Sequence, residues 1–81
     1  MKVFDRVARI LKELSGLDEI KPEDSLQQDL ALDSMLMVTL LIELEDEFDI
    51  ELDEADMNPF ELNTVQDTVD LVDKYGGDQN E

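Results

Sequence analysis

Between Ser34 and Phe48 nine residues are apolar, more than a single buried stripe of a surface helix needs. On a wheel of about 100° per residue, Met37, Leu40, Leu41, Leu44 and Phe48 gather on one side and make a full core face. Thr39, Glu43, Glu45, Asp46, Glu47 and Asp49 fill the opposite side. Met35, Leu36, Val38 and Ile42 fit neither set. Three of them, Met35, Val38 and Ile42, recur at i, i+3 and i+7 within the acidic face. Such a stripe is either covered by loops or left open as a docking surface. Because five other residues already supply the inward face, the pattern favours an exposed stripe.

The entrance to this helix is equally specific. Asp33 stands at the N-cap position, where a short carboxylate can accept from the unpaired amides of the first turn. Ser34 then opens the helix with its hydroxyl at the positive end of the dipole. Free amides and the dipole both favour an anion there, so the place suits a phosphate ester. A lone Asp-Ser pair can equally do no more than start a helix.

The rest of the chain arranges itself around that segment. Val3, Phe4, Val7, Ile10, Leu11 and Leu14 predict a helix over 2–15 that stops at Gly16, with Arg6, Arg9 and Lys12 on a solvated face. A long connection follows, with Pro22, Asp24 and Ser25 as turn formers and Leu17, Ile20, Leu26, Leu30 and Leu32 as anchors. From Glu51 to Asn63 the acidic run predicts one short helix, with Ala55, Met57, Phe60 and Leu62 as possible anchors. A capping box of Thr64 and Asp67 opens the last helix, whose inward stripe is Val65, Val69 and Val72, flanked by Thr68, Leu71 and Tyr75. Gly76-Gly77 ends it. The expected fold is all-α: a small four-helix bundle of three main helices and one short one, with a long loop between the first two. One domain is expected over 1–75, and residues 76–81 read as a disordered tail.

Composition excludes several functions. Six basic residues against 23 acidic ones give a net charge of −17, which repels nucleic acid and anionic membranes and favours basic partner surfaces. The chain has neither cysteine nor histidine, so it lacks Ser-His and Cys-His catalysis and the commonest metal ligand. An EF-hand counted from Asp49 fails, because Glu54 stands where the loop needs glycine. No metal site and no enzymatic activity are expected. Lys2, Asp5, Arg6 and Arg9 interrupt any signal-peptide core, and no run is long enough to span a membrane, so a cytoplasmic chain is the expectation; a monomer is expected as well.

Leu30, the triplet Asp33-Ser34-Met35, then Leu40, Leu44, Glu45 and the run Glu47-Phe48-Asp49-Ile50, with Thr64-Val65 further on, resemble the phosphopantetheine-binding acyl, peptidyl and aryl carrier proteins. The resemblance covers about Val3 to Tyr75. It implies that Ser34 carries a 4'-phosphopantetheine group donated from coenzyme A by a phosphopantetheinyl transferase, and that Asp33 caps it and starts the partner epitope. The terminal thiol, absent from the chain itself, would hold acyl groups as thioesters for fatty-acid, polyketide or nonribosomal-peptide synthesis. Acyl-loading and acyl-processing enzymes would then dock on Met35, Leu36, Val38, Thr39, Ile42, Glu43, Glu45 and Asp46 through basic or apolar surfaces. Ala31 stands where many carriers have glycine, and Leu36 and Thr39 stand where fatty-acid carriers usually have acids. An apolar epitope beside the serine looks more like carriers of specialised pathways. The alternative without the resemblance is a cofactor-free acidic helical protein-binding module.

Overall fold

The computed structural model describes residues 3–58 and 61–76. The expected helical residue Lys2, the turn at Pro59, the anchor Phe60 and the tail beyond Gly76 lie outside them. Among the described residues the architecture is all-α, with α1 (Val3–Ser15), α2 (Ser34–Phe48) and α3 (Val65–Lys74). α1 packs against both other helices. The predicted fourth helix is only a 3-10 turn at Glu54–Asp56 with no buried residue. Ala55 anchors nothing and is exposed, whereas Leu52 and Leu62 on either side are buried. Four acidic residues from Glu51 to Asp56 leave no apolar period from which a longer helix could gain burial.

The core is shared by all three helices and the connections. Val7, Leu11, Met37, Leu40, Leu41, Leu44, Val65 and Val72 are completely buried, and Ile20, Leu26, Leu30 and Leu32 pin the first connection onto them. Leu17 does not join them; it is 41% exposed. Gly16, in the left-handed region at φ 76°, turns the chain out of α1, and the connection returns to the core only at Ile20. Val69 is inward as the valine stripe predicts, and the flanking Thr68 and Leu71 are buried with it. Backbone bonds tie the first connection to the start of α3: Leu26 N–H to Asn63 C=O at 2.9 Å, Val65 N–H to Asp24 C=O at 3.0 Å and Gln66 N–H to Pro22 C=O at 2.9 Å.

The basic residues of α1 are not simply solvated. Arg6 Nε donates to the Glu47 carboxylate at 2.9 Å, one of its terminal nitrogens donates to the Glu47 carbonyl at 2.6 Å, and its guanidinium lies 4.4 Å over the Phe48 ring. Arg9 joins the other Glu47 oxygen. This cluster fastens the end of α2 to α1 where the acidic excess would otherwise be most repulsive.

Candidate functional site

The approach to Ser34 is built from local turns. Asp29 accepts from Ser25 N–H at 2.7 Å, the Ser25 hydroxyl accepts from Gln28 N–H at 3.2 Å, and Leu32 N–H reaches the Leu26 carbonyl at 3.0 Å. The closed turn delivers Leu30 and Leu32 into the core, with exposed Ala31 between them. Ala31 sits at φ 57°, a left-handed conformation that costs a residue with a Cβ about 1–2 kcal/mol. Ala31 is therefore a strained position. Ala31→Gly is expected to stabilise the fold by about 0.5–1 kcal/mol after the added unfolded-state entropy of glycine is offset. A thermal melt should show a rise of roughly 2–8 °C, and a fall would refute the assignment of strain here.

Asp33 follows in an extended conformation as the N-cap, and its Oδ1 accepts from Leu36 N–H at 2.8 Å. Ser34 is the first residue of α2 and is exposed, and its hydroxyl has no partner among the described residues. The amides of Ser34 and Met35 lie in the first turn, where a helix offers them no carbonyl. An exposed, uncommitted hydroxyl beside two such amides fits a covalently attached phosphate ester. An open depression beside α3, lined by Leu62, Asp67, Asp70 and Leu71, includes neither Ser34 nor the apolar stripe.

Down α2 from Ser34, Met35 is 78% exposed, Val38 43% and Ile42 48%. Thr39, Glu43 and Asp46 are exposed around them, and the Thr39 hydroxyl donates to the Met35 carbonyl at 3.0 Å. These residues share one surface. Two others depart from the sequence reading. Leu36 is half-buried and packs on the core cluster, so it borders the stripe rather than continuing it. Glu45 is turned to the exit of α2, where its carboxylate accepts from Leu52 N–H at 2.9 Å and its carbonyl accepts from Asp49 and Ile50. Asp49, left-handed at φ 53°, makes that turn. No group of three or more potential metal ligands occurs among the described residues, and no described helix is long and apolar enough to cross a membrane.

Comparison with known proteins agrees with this geometry. A family model described as the phosphopantetheine attachment site matches residues 5–72. An acyl carrier protein of Micrococcus luteus is 39% identical over 74 residues, which is 89% of this chain and 89% of that protein. An acyl carrier protein of Myxococcus xanthus is 38% identical over 73 residues, covering 88% and 90% respectively. A match that runs from within α1 to near the end of α3, with a free serine at the mouth of the central helix, means that the chain belongs to the phosphopantetheine-attachment family, whose cofactor is a covalently bound 4'-phosphopantetheine.

Proposed function

We propose that this chain is an acyl carrier protein in which Ser34 holds the phosphopantetheine arm and the exposed face of α2 is read by partner enzymes. The observation that carries the reading is the free Ser34 hydroxyl at the first turn of α2, capped from Asp33. The arm, when attached, supplies the thiol that the cysteine-free chain lacks. The chain's own part is to present the nucleophilic oxygen and to favour the resulting phosphodiester anion with the amides of Ser34 and Met35. The chain has no histidine to act as the base for the attachment, and Asp33 Oδ1 is already taken by Leu36 N–H. Removal of the Ser34 proton is assigned to the transferase, and the carrier itself catalyses nothing.

The partner surface favours a specialised pathway over a housekeeping fatty-acid one. Met35, Val38 and Ile42 are exposed next to the serine, Thr39 is neutral, and beyond Asp33 the exposed acids of this face begin at Glu43 and Asp46. A complementary enzyme surface is apolar near the arm and basic beyond it. Leu36 contributes through its half-exposed edge, while Glu45 acts mainly on the fold. Incubation with coenzyme A and a phosphopantetheinyl transferase should add a single phosphopantetheine mass to the intact chain. An unchanged mass under conditions that modify a control carrier would leave the cofactor-free binding module as the better reading.

A further inference from the structure

The two connections of this bundle are fastened in different ways. The one between α1 and α2 is held to α3 by two backbone bonds, from Val65 and Gln66, and to Asn63 just ahead of α3 by a third, from Leu26. The segment 52–57 between α2 and α3 has no backbone bond to the rest of the protein among the described residues; its Asp56-to-Asp53 and Met57-to-Glu54 bonds are internal. Among the described residues its outside hydrogen bonds all run through side chains. Leu52 N–H is held by the Glu45 carboxylate, and Asp53 N–H donates to the Tyr75 hydroxyl at 2.9 Å. That hydroxyl in turn donates to the Asp56 carboxylate, which Lys74 Nζ also reaches, at 3.1 Å to each oxygen. Tyr75 thus grips both sides of the 3-10 turn with one oxygen.

We infer that residues 52–57 form a strap latched by Tyr75, which lifts from the bundle with Leu52 and Met57 while α1, α2 and α3 stay folded. Side-chain bonds at a surface compete with water and need ordered rotamers, so they break in small groups rather than with the whole core. The strap has little else to hold it. Its 3-10 turn buries no residue, and Leu52 is its one buried side chain, with Met57 partly buried. A segment with few buried contacts and side-chain-only fastening opens locally at lower cost than the helices unfold. The latch is nonetheless specific: the Tyr75 hydrogen bond, and then Lys74, hold the Asp56 carboxyl below the usual carboxylate range. Lifting the strap uncovers apolar surface at the exit of α2 without disturbing the Asp33-Ser34 cap. The inference is independent of what Ser34 carries.

Native-state hydrogen exchange on the full chain tests it. Tyr75→Phe keeps the ring that packs on the core and removes only the shared hydroxyl. The Asp56 and Met57 amides should exchange about tenfold faster or more, with Leu11, Leu41 and Val72 unchanged. Lys74→Met should accelerate the same strap amides by a smaller factor. The strap is refuted if Asp56 and Met57 keep their wild-type rates. It is equally refuted if the helix amides accelerate with them, or if Tyr75→Phe unfolds the chain, because the latch would then support the whole bundle.

Discussion

Leu41→Ala and Ile42→Ala, adjacent on α2, are expected to behave as residues of different classes. Leu41 is completely buried, and its truncation should cost about 2–5 kcal/mol through lost burial and the cavity left behind. In a domain with total stability on the order of 5–15 kcal/mol, that is enough to lower the melting temperature severely. Ile42 is 48% exposed beside Glu43 and should change stability by no more than about 0.5 kcal/mol. Its effect should appear in partner assays. Apolar anchors carry a large share of interface energy, so a loss of roughly tenfold in kcat/KM for acyl loading by the cognate enzyme is expected. Leu36→Ala should fall between these two, at about 1–2 kcal/mol, because its side chain is half-buried on the core. Thermal melts and loading kinetics on the three variants separate the classes. If Ile42→Ala melts as low as Leu41→Ala, the residue is buried; if Val38→Ala and Ile42→Ala both load normally, the stripe is not a docking surface.

The features legible in the sequence were those whose causes are local. The core face of α2 follows from spacing alone, and so does the exposure of Met35, Val38 and Ile42 once Met37, Leu40, Leu41, Leu44 and Phe48 fill the inward side. The caps were equally readable. The Asp33 carboxylate reaches the amide three residues on, and Thr64 with Asp67 closes a reciprocal box. Leu36 is half-buried because it lies where the two faces of the wheel meet, and angle alone does not say which neighbour covers it. Glu47 could not be read at all: its partners, Arg6 and Arg9, are 41 and 38 residues away and meet it only after α1 packs on α2. The same holds for Tyr75 and Asp56, and for Glu45, whose partner Leu52 lies beyond the reversal at Asp49. The strain at Ala31 was hidden for another reason: alanine has no left-handed preference, so nothing in the residue itself announces the conformation its neighbours impose.

Ser34→Ala should abolish modification by a phosphopantetheinyl transferase completely and leave the fold intact. Alanine suits the first position of a helix, and the Asp33-to-Leu36 cap does not use the serine side chain, so the melting temperature should stay near wild type. No other hydroxyl can take over. Of the remaining serines, Ser15 accepts from Leu17 N–H at 3.2 Å and Ser25 from Gln28 N–H at 3.2 Å, both half-buried at turns. Thr64 caps α3, Thr68 is completely buried, and Thr39 is committed to the Met35 carbonyl. Asp33→Ala offers a graded companion: losing the cap should cost about 1 kcal/mol and slow modification without abolishing it, because Ser34 keeps its hydroxyl. Intact mass and peptide mapping on both variants decide the assignment. An adduct on Ser15 or Ser25 in the wild-type chain, or a fully modified Ser34→Ala protein, would move the attachment site elsewhere. A modified wild type and a folded, unmodified Ser34→Ala would instead place the arm at the one hydroxyl that the fold leaves both exposed and uncommitted.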